Sequence, residues 1–184
     1  MDTKTHTLID ALYRVPENGK AEIINGTIIV MEPTGGMPSF TGGEIFVSLR
    51  TYAKQTGKGY AFPDNAGFVV NLPNLRSFSP DAAYFMGELN GGKFLEGAPI
   101  FAVEVRSEGD YGPAAERKMA QKRAAYFAAG TLVVWDVDVL EERVVRVYRA
   151  NHPTRPTVYN EGDWAEAEPA LPGWIMPVDD LFPE

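Results

Sequence analysis

The sequence predicts a fold of the α/β (α+β) type, in which a mixed central β-sheet is flanked by helices and an N-terminal β-hairpin comes first. Two observations support this prediction. An Asn-Gly pair lies between two β-prone runs near the amino terminus, which is a strong short-range signal for a hairpin. In the middle of the chain an apolar strand, a helix and a second apolar strand follow one another, an order that favours a parallel pair joined by a crossover helix.

The first half of the chain contains the hairpin, one long helix and several short strands. The hairpin covers residues 21–31 and turns at Asn25 and Gly26. Apolar residues recur at helical spacing over 42–55 and Gly57 follows them, so a helix is expected there. Three short strands, separated by proline, asparagine and glycine, are expected at 59–62, 67–72 and 81–85.

The second half contains the strand, helix and strand unit. Residues 100–105 form a nearly continuous apolar run, which is typical of a strand buried on both faces. Pro113 suits the first turn of a helix and Gly130 suits its C-cap, so a helix is expected over 113–129. The proline-rich segment at 171–182 is expected to pack along the rim of the sheet. Two further strands are expected at 132–138 and 143–148.

Composition excludes several classes of site. The 184 residues include no cysteine, which excludes disulfides, zinc ribbons, iron–sulfur clusters and thiol catalysis. The two histidines, His6 and His152, lie at opposite ends of the chain, which disfavours a catalytic triad. The formal net charge of −8 argues against nucleic-acid binding through bulk positive charge but allows a local basic cleft. We expect one domain over 1–184, located in the cytoplasm, with no membrane span.

Two carboxylates stand out as candidate metal ligands. Asp81 follows Pro80 at the start of a predicted strand, and Glu104 is the single acid within an apolar strand. Burial of an ionised carboxylate is costly unless it is paired, hydrogen-bonded or bound to a metal, and burial raises its pKa. If the two strands are neighbours, both carboxylates and the backbone carbonyl of Val105 could bind one Mg²⁺ or Mn²⁺ ion, which would activate water for phosphate chemistry.

The predicted crossover helix supplies candidate phosphate contacts. Lys118 and Lys122 are four residues apart and therefore lie on one face, within a stretch of four basic residues and one acid. A plainer interpretation stays open for each feature. Asp81 after proline is also typical of a turn cap, Glu104 could be a paired structural acid, and a basic helix face is often solvated surface.

Several motifs stand in order along the chain. They are Ser79-Pro80-Asp81, Phe101-Ala102-Val103-Glu104-Val105, Lys122 with Tyr126 and Gly130 at four-residue spacing, Val134-Trp135-Asp136-Val137-Asp138, and Leu171-Pro172-Gly173-Trp174. Together with the hairpin before them, they resemble the Uma-two (Uma2) family of the PD-(D/E)XK nuclease superfamily. The resemblance spans almost the whole chain and implies a restriction endonuclease-like fold.

This resemblance assigns roles to individual residues. It implies that Asp81 and Glu104 bind the metal, that Lys122 is the catalytic lysine moved onto the helix, and that Glu22 is an additional acid of the site. In the superfamily's usual arrangement the lysine lies two residues after the strand glutamate, where this chain has Arg106. An arginine can hold phosphate but stays protonated, so it cannot act as a base.

The sequence therefore predicts a metal-dependent endonuclease that hydrolyses phosphodiester bonds in DNA. Mg²⁺ or Mn²⁺ would be held by Asp81 and Glu104, Lys122 would assist the attacking water, and Arg106 and Lys118 would contact phosphate. A homodimer is implied by the resemblance. The alternative is a protein of the same fold with weak or absent catalysis that serves as a binding or regulatory module.

Overall fold

The computed structural model describes residues 3–15 and 19–183. Within those residues the helices are α1 (Thr3–Leu12), α2 (Gly36–Thr56) and α3 (Pro113–Ala129), and a 3₁₀ turn covers Val178–Leu181. The strands are β1 (Lys20–Ile24), β2 (Thr27–Met31), β3 (Tyr60–Pro63), β4 (Phe68–Leu72), β5 (Leu75–Phe78), β6 (Ala82–Phe85), β7 (Leu95–Glu96), β8 (Phe101–Val105), β9 (Val133–Asp138), β10 (Val144–Arg149), β11 (His152–Asn160), β12 (Trp164–Glu166) and β13 (Ile175–Pro177). Across the described ranges, no helix combines the length and the apolar character needed to cross a lipid bilayer.

The strands form two main sheets and a small ribbon. The six-stranded sheet has the order β11-β10-β9-β8-β6-β3; its β8–β9 pair is parallel and its other pairs are antiparallel. The five-stranded sheet has the order β2-β1-β5-β4-β7, and β12 pairs with β13. The prediction of a mixed sheet flanked by helices, with a parallel pair joined by a crossover helix, is confirmed.

The amino-terminal hairpin is also confirmed. Ile24 pairs with Thr27 across the turn, and β1 and β2 run antiparallel. Asn25 and Gly26 both have positive φ angles, 50° and 74°, which is the conformation that a type I′ turn requires.

Element boundaries agree with the prediction for α3 but not for α2. The crossover helix begins at Pro113 and ends at Ala129, as predicted. The helix α2 begins at Gly36, earlier than the predicted start at residue 42, because Pro38 lies in its first turn, where no intrahelical N–H donor is needed. The prediction lacks several elements, namely α1, β5, β7, β11 and the β12–β13 ribbon.

Apolar side chains pack on both faces of the six-stranded sheet. On one face, α2 contributes Ile45 and Leu49 to a core cluster that includes Trp135 of β9. On the other face, the five-stranded sheet and α3 cover Ala102 and Val134. The six-stranded sheet is therefore the middle layer of the molecule, and α3 lies against the same face as the five-stranded sheet.

The carboxyl-terminal segment packs differently from the prediction. Leu171, Trp174 and Leu181 are buried in the cluster on the α2 face instead of lying along the rim. The rings of Trp174 and Trp135 are in contact, with centroids 5.0 Å apart. Burying two indoles removes more apolar surface from water than a rim contact would, which explains why the segment covers the sheet.

Candidate active site

The candidate site lies where the chain passes from the five-stranded sheet to the six-stranded sheet. The connection from β5 to β6 is Ser79-Pro80-Asp81. The backbone N–H of Asp81 donates to the carbonyl of Val103 (2.9 Å), and its Oδ2 accepts the N–H of Val105 (2.7 Å). These bonds continue the β6–β8 pairing and hold the Asp81 carboxylate beside the end of β8. Ligation by the Val105 carbonyl stays a prediction, since the group that contacts Asp81 is the N–H.

Glu104 projects from β8 toward α3. Side chains alternate along a strand: Val103 belongs to the cluster on the α2 face, whereas Ala102 belongs to the cluster on the α3 face. Glu104 shares the face of Ala102. Its Oε2 accepts a hydrogen bond from Lys122 Nζ (2.8 Å), and its Oε1 accepts one from the Tyr126 hydroxyl (2.5 Å). Successive turns of one helix therefore supply donors to both oxygens of the carboxylate.

Glu22 reaches the same group from the hairpin. The residue is 2% exposed. Its Oε1 accepts the backbone N–H of Ser79 (2.8 Å) and lies 3.1 Å from Lys122 Nζ. Lys122 therefore bridges the carboxylates of Glu22 and Glu104, and this bridge links β1, β8 and α3.

Lys20 also belongs to the group, although the sequence prediction gave it no role. It lies two residues before Glu22 and so on the same face of β1. Its Nζ donates to Asp81 Oδ1 at 2.6 Å and lies 2.8 Å from Asp64 Oδ1. The side chains of Lys20 and Asp81 are each 12% exposed, so this ion pair is largely shielded from water. We call Lys20, Glu22, Asp81, Glu104 and Lys122 the charged cluster.

Burial and charge together set the pKa values in the charged cluster. Burial raises the pKa of Glu104 to about 7 against the opposing charge of Lys122, and the carboxylates of Asp81 and Glu22 add to the rise. Burial alone would lower the pKa of Lys122, but the carboxylates of Glu104 and Glu22 outweigh it and hold that pKa well above its ordinary value. The expected rise in the Glu104 pKa is confirmed, and Lys122 is a protonated donor at neutral pH.

We expect this raised pKa to make the metal-free protein less stable as the pH rises from about 5 to about 8. The folded state keeps the Glu104 proton up to about pH 7, whereas the ordinary value for the unfolded chain is 4.5. The folded state therefore binds more protons than the unfolded state in this pH window. The contribution of Glu104 to stability is complete below the pKa of the unfolded state and is lost as the pH rises through the pKa of the folded state. Urea unfolding in chelator measures this effect. Between about pH 5 and about pH 8, the free energy of unfolding of the parent should fall by about 2 kcal/mol more than that of Glu104→Gln.

The matched control for this pH profile is Glu88→Gln, which changes an exposed loop residue. Its stability should follow the parent at every pH. Lys122 does not disturb the measurement, because a lysine with a raised pKa changes its contribution only at alkaline pH. Parallel profiles for Glu104→Gln and the parent would contradict the raised pKa.

The donor set of the charged cluster fits a hard divalent cation. Glu22, Asp81 and Glu104 outnumber the ammonium groups of Lys20 and Lys122, so one formal negative charge is uncompensated once Glu104 is ionised. Across residues 3–15 and 19–183, no three histidine, aspartate or glutamate side chains are arranged to hold an ion by themselves. Water or substrate oxygens would complete the coordination, an arrangement that is usual for Mg²⁺.

A cavity of about 190 Å³ opens beside Asp81. The start of α2 and the residues before it contribute the hydroxyl-bearing Thr34 and Ser39 to its lining, and the end of β3 and the residue after it contribute Pro63 and Asp64. Asp64 and Asp81 both line this space, which places the cavity beside the partially exposed side of the charged cluster.

Arg106 lies in a separate buried network and not in the charged cluster. The residue is 4% exposed. Its Nε and Nη2 donate to the two oxygens of Asp136 at 2.7 Å and 3.0 Å, and its guanidinium also pairs with Glu116. Arg123 of α3 lies 3.0 Å from the same Asp136 carboxylate. The predicted contact of Arg106 with phosphate is at odds with this position, because every guanidinium nitrogen already has a carboxylate partner.

Replacing Arg106 by methionine is therefore expected to lower stability and not DNA affinity. The substitution leaves the buried Asp136 with Arg123 as its remaining cation, and removing one partner of a buried pair costs about 3 kcal/mol. Denaturant unfolding measures the loss, and the exposed Arg117→Met should stay within about 0.5 kcal/mol of the parent. A variant of parental stability whose DNA binding depends less on salt would restore the phosphate role.

Lys118 and Lys122 meet different surroundings, although both were predicted to face the cleft. Lys118 is exposed, whereas the Lys122 side chain is 23% exposed and held by carboxylates. Arg123 is likewise paired. Of the predicted basic patch, Arg117 and Lys118 remain on the surface, so the patch is smaller than the sequence indicated. The contact of Lys118 with phosphate stays a prediction.

Lys20 and Tyr126 contact the cluster although the sequence prediction gave neither a role; Tyr126 entered it only as part of the motif that contains Lys122. Tyr126 lies four residues after Lys122, a spacing that places both on one helix face. Lys20 lies two residues before Glu22, which places both on one strand face. These signals relate residues within one element, whereas the contacts join the hairpin and α3 to the two carboxylates beside β8.

Comparisons with known proteins agree with this architecture. The family model Uma2, described as "Putative restriction endonuclease", matches residues 9–179. A crystal structure from Anabaena variabilis, described as a putative nuclease belonging to DUF820, matches with a TM-score of 0.73 and 21% identity, over 95% of this chain and 96% of that chain. No curated protein matches. The family match confirms the resemblance that the sequence motifs indicated, and the structural match supports the fold.

Proposed function

The chain belongs to the Uma2 family, and from this membership we propose that it is a metal-dependent endonuclease that hydrolyses phosphodiester bonds in DNA. The observation that carries the proposal is the convergence of three carboxylates and two lysines, from β1, the β5–β6 connection, β8 and α3, on one largely buried cluster. The description of the Anabaena protein as a nuclease supports the same reaction class.

Each residue of the charged cluster that takes part in the proposed reaction would have a separate role. Asp81 and Glu104 would hold Mg²⁺ or Mn²⁺, which when bound polarises a phosphate and lowers the pKa of a water molecule. Lys122 acts as a charged donor that orients the attacking water or a phosphate oxygen; it is not a base, because its pKa lies well above neutrality. Glu22 holds the Lys122 ammonium in place, and Tyr126 orients Glu104 through its hydroxyl.

DNA as the substrate requires local positive charge on a chain whose formal net charge is −8. Lys118, exposed one helical turn from Lys122, is the proposed phosphate contact of α3. The bound divalent cation would also offset the negative charge of a substrate phosphate, because a metal ion is often the largest local charge in such a site. The homodimer and the cytoplasmic location stay predictions.

A second candidate function is a binding or regulatory module with weak or absent hydrolysis. Its support is that both expected metal ligands already have ammonium partners, Lys20 on Asp81 and Lys122 on Glu104. A cluster that balances most of its own charge can hold the two sheets and α3 together without any ion. Metal affinity and turnover distinguish the two functions.

The test is a nuclease assay on single-stranded and double-stranded DNA and RNA, each with Mg²⁺, Mn²⁺ or chelator. The proposed function expects cleavage of DNA that requires the metal and stops in chelator. DNA binding without cleavage in either metal would favour the binding module. Cleavage of RNA but not DNA would keep the reaction and change the substrate, and activity that survives in chelator would contradict metal dependence.

A further inference from the structure

We propose that Lys20 is an internal counter-ion that competes with the divalent cation for Asp81 and thereby sets the metal affinity of the site. This inference rests on the proposed function, because it needs Asp81 to be a metal ligand. The sequence prediction assigned metal ligands, a catalytic lysine and phosphate contacts, and Lys20 has none of these roles.

Each oxygen of the Asp81 carboxylate already accepts a hydrogen bond, and the donor on one of them is a cation. Its Oδ2 accepts the backbone N–H of Val105 at 2.7 Å, a bond that belongs to the strand pairing. Its Oδ1 accepts the ammonium of Lys20 at 2.6 Å. A divalent cation that binds Oδ1 meets the Lys20 ammonium at hydrogen-bond distance from the same oxygen, and the repulsion between the two positive charges favours movement of the ammonium to another partner.

Asp64 provides the place to which the ammonium can move. Its Oδ1 already lies 2.8 Å from Lys20 Nζ, and its side chain is 41% exposed, compared with 12% for Asp81. Asp64 and Asp81 line the same cavity. Rotation of the flexible lysine side chain toward Asp64 therefore frees Oδ1 while the ammonium keeps a carboxylate partner and gains water.

Lys122 differs from Lys20 in this respect. Its ammonium lies between Glu104 at 2.8 Å and Glu22 at 3.1 Å, and Glu22 is 2% exposed. The second partner of Lys122 thus lies inside the protein, whereas the second partner of Lys20 lies at the solvent side. The exchange is consequently assigned to Lys20, and Lys122 stays at its carboxylates when the ion binds.

The experiment is calorimetric titration with Mn²⁺ of the parent, Lys20→Met and the control Lys93→Met, which removes the same charge from an exposed loop residue. We expect Lys20→Met to bind Mn²⁺ at least about tenfold more tightly than the parent, because the ion no longer displaces a charged hydrogen bond. Lys93→Met should stay within about twofold. If Lys20→Met folds poorly, Lys20→Gln repeats the test. The melting temperature gives a second measurement, because its rise on adding Mn²⁺ should be larger in the variants without Lys20 than in the parent.

Asp64→Asn, alone and combined with Lys20→Met, tests the second anchor. If Asp64 acts by receiving the ammonium, the substitution weakens Mn²⁺ binding several-fold in the parent and has no effect when Lys20 is absent. An equal loss in both backgrounds would make Asp64 a ligand and overturn its role as the anchor.

The outcomes separate this inference from the proposed function. If the parent binds Mn²⁺ and Lys20→Met binds it equally or more weakly, the competition is overturned and the metal site stands. Absence of Mn²⁺ binding in the parent and in every Lys20 variant overturns the metal site and the competition together. Binding that appears only when Lys20 is removed supports both.

Discussion

Asp81→Asn is expected to lower the rate of DNA cleavage in Mg²⁺ by at least about 10³-fold and to abolish measurable Mn²⁺ binding. The substitution removes the negative charge that attracts the ion and changes little else in shape. The asparagine carbonyl can still accept the N–H of Val105, which the carboxylate accepts at 2.7 Å, so the β6–β8 pairing should persist. Cleavage assays at saturating DNA and calorimetry with Mn²⁺ measure the two effects.

The control for this prediction is Asp180→Asn, which changes an exposed aspartate in the 3₁₀ turn. It should keep parental cleavage and parental metal binding. Thermal melts in chelator show whether Asp81→Asn is folded at the assay temperature. A folded variant that binds Mn²⁺ as the parent does, or cleaves within about tenfold of it, would remove Asp81 from the metal site.

Lys122→Met is the second variant for which we expect a large effect, a loss of about 10²–10⁴-fold in turnover with little change in DNA affinity. The ammonium lies 2.8 Å from Glu104, beside the expected metal, and methionine retains the length of the side chain without its charge. An interaction that matters mainly in the transition state affects turnover more than binding. Single-turnover cleavage and fluorescence anisotropy with labelled DNA separate the two quantities.

The matched control is Lys118→Met, one helical turn away on the exposed surface of α3. It should weaken DNA binding and make it less dependent on salt while turnover at saturating DNA stays near the parental value. Because Lys122→Met leaves Glu22 and Glu104 without their shared cation, its melting temperature should fall, and cleavage must be measured well below it. Parental turnover in the folded variant would transfer the catalytic role to another residue.

The sequence by itself determined several of the local elements and one property of the site. Asn25-Gly26 marked the hairpin turn because both residues tolerate positive φ. Pro113 and Gly130 marked the two ends of α3, because proline suits a first turn and glycine a left-handed cap. Glu104 within an apolar strand indicated a buried carboxylate with a raised pKa. Each of these inferences depends on the backbone preferences or the polarity of residues close together in the chain.

The start of α2 and the packing of the carboxyl-terminal segment could not be predicted from local sequence patterns. The early glycines and Pro38 of α2 resemble a loop, but the helix tolerates them in its first turn. The proline-rich segment around Trp174 has no periodicity that indicates burial, yet its side chains fill the core beside Trp135. In both cases packing against the six-stranded sheet outweighs a weak local preference.

Only the tertiary structure decided which charged residues share the site. Arg106 and Glu104 are two residues apart on or just beyond β8, yet Arg106 bonds to Asp136, whereas Glu104 bonds to Lys122 and Tyr126. Lys20 and Asp81 are 61 residues apart and meet because the strand β1 packs beside the connection between the two sheets. Periodicity reports which face of its own element a residue occupies, but the partner across that face depends on how the sheets and α3 pack together.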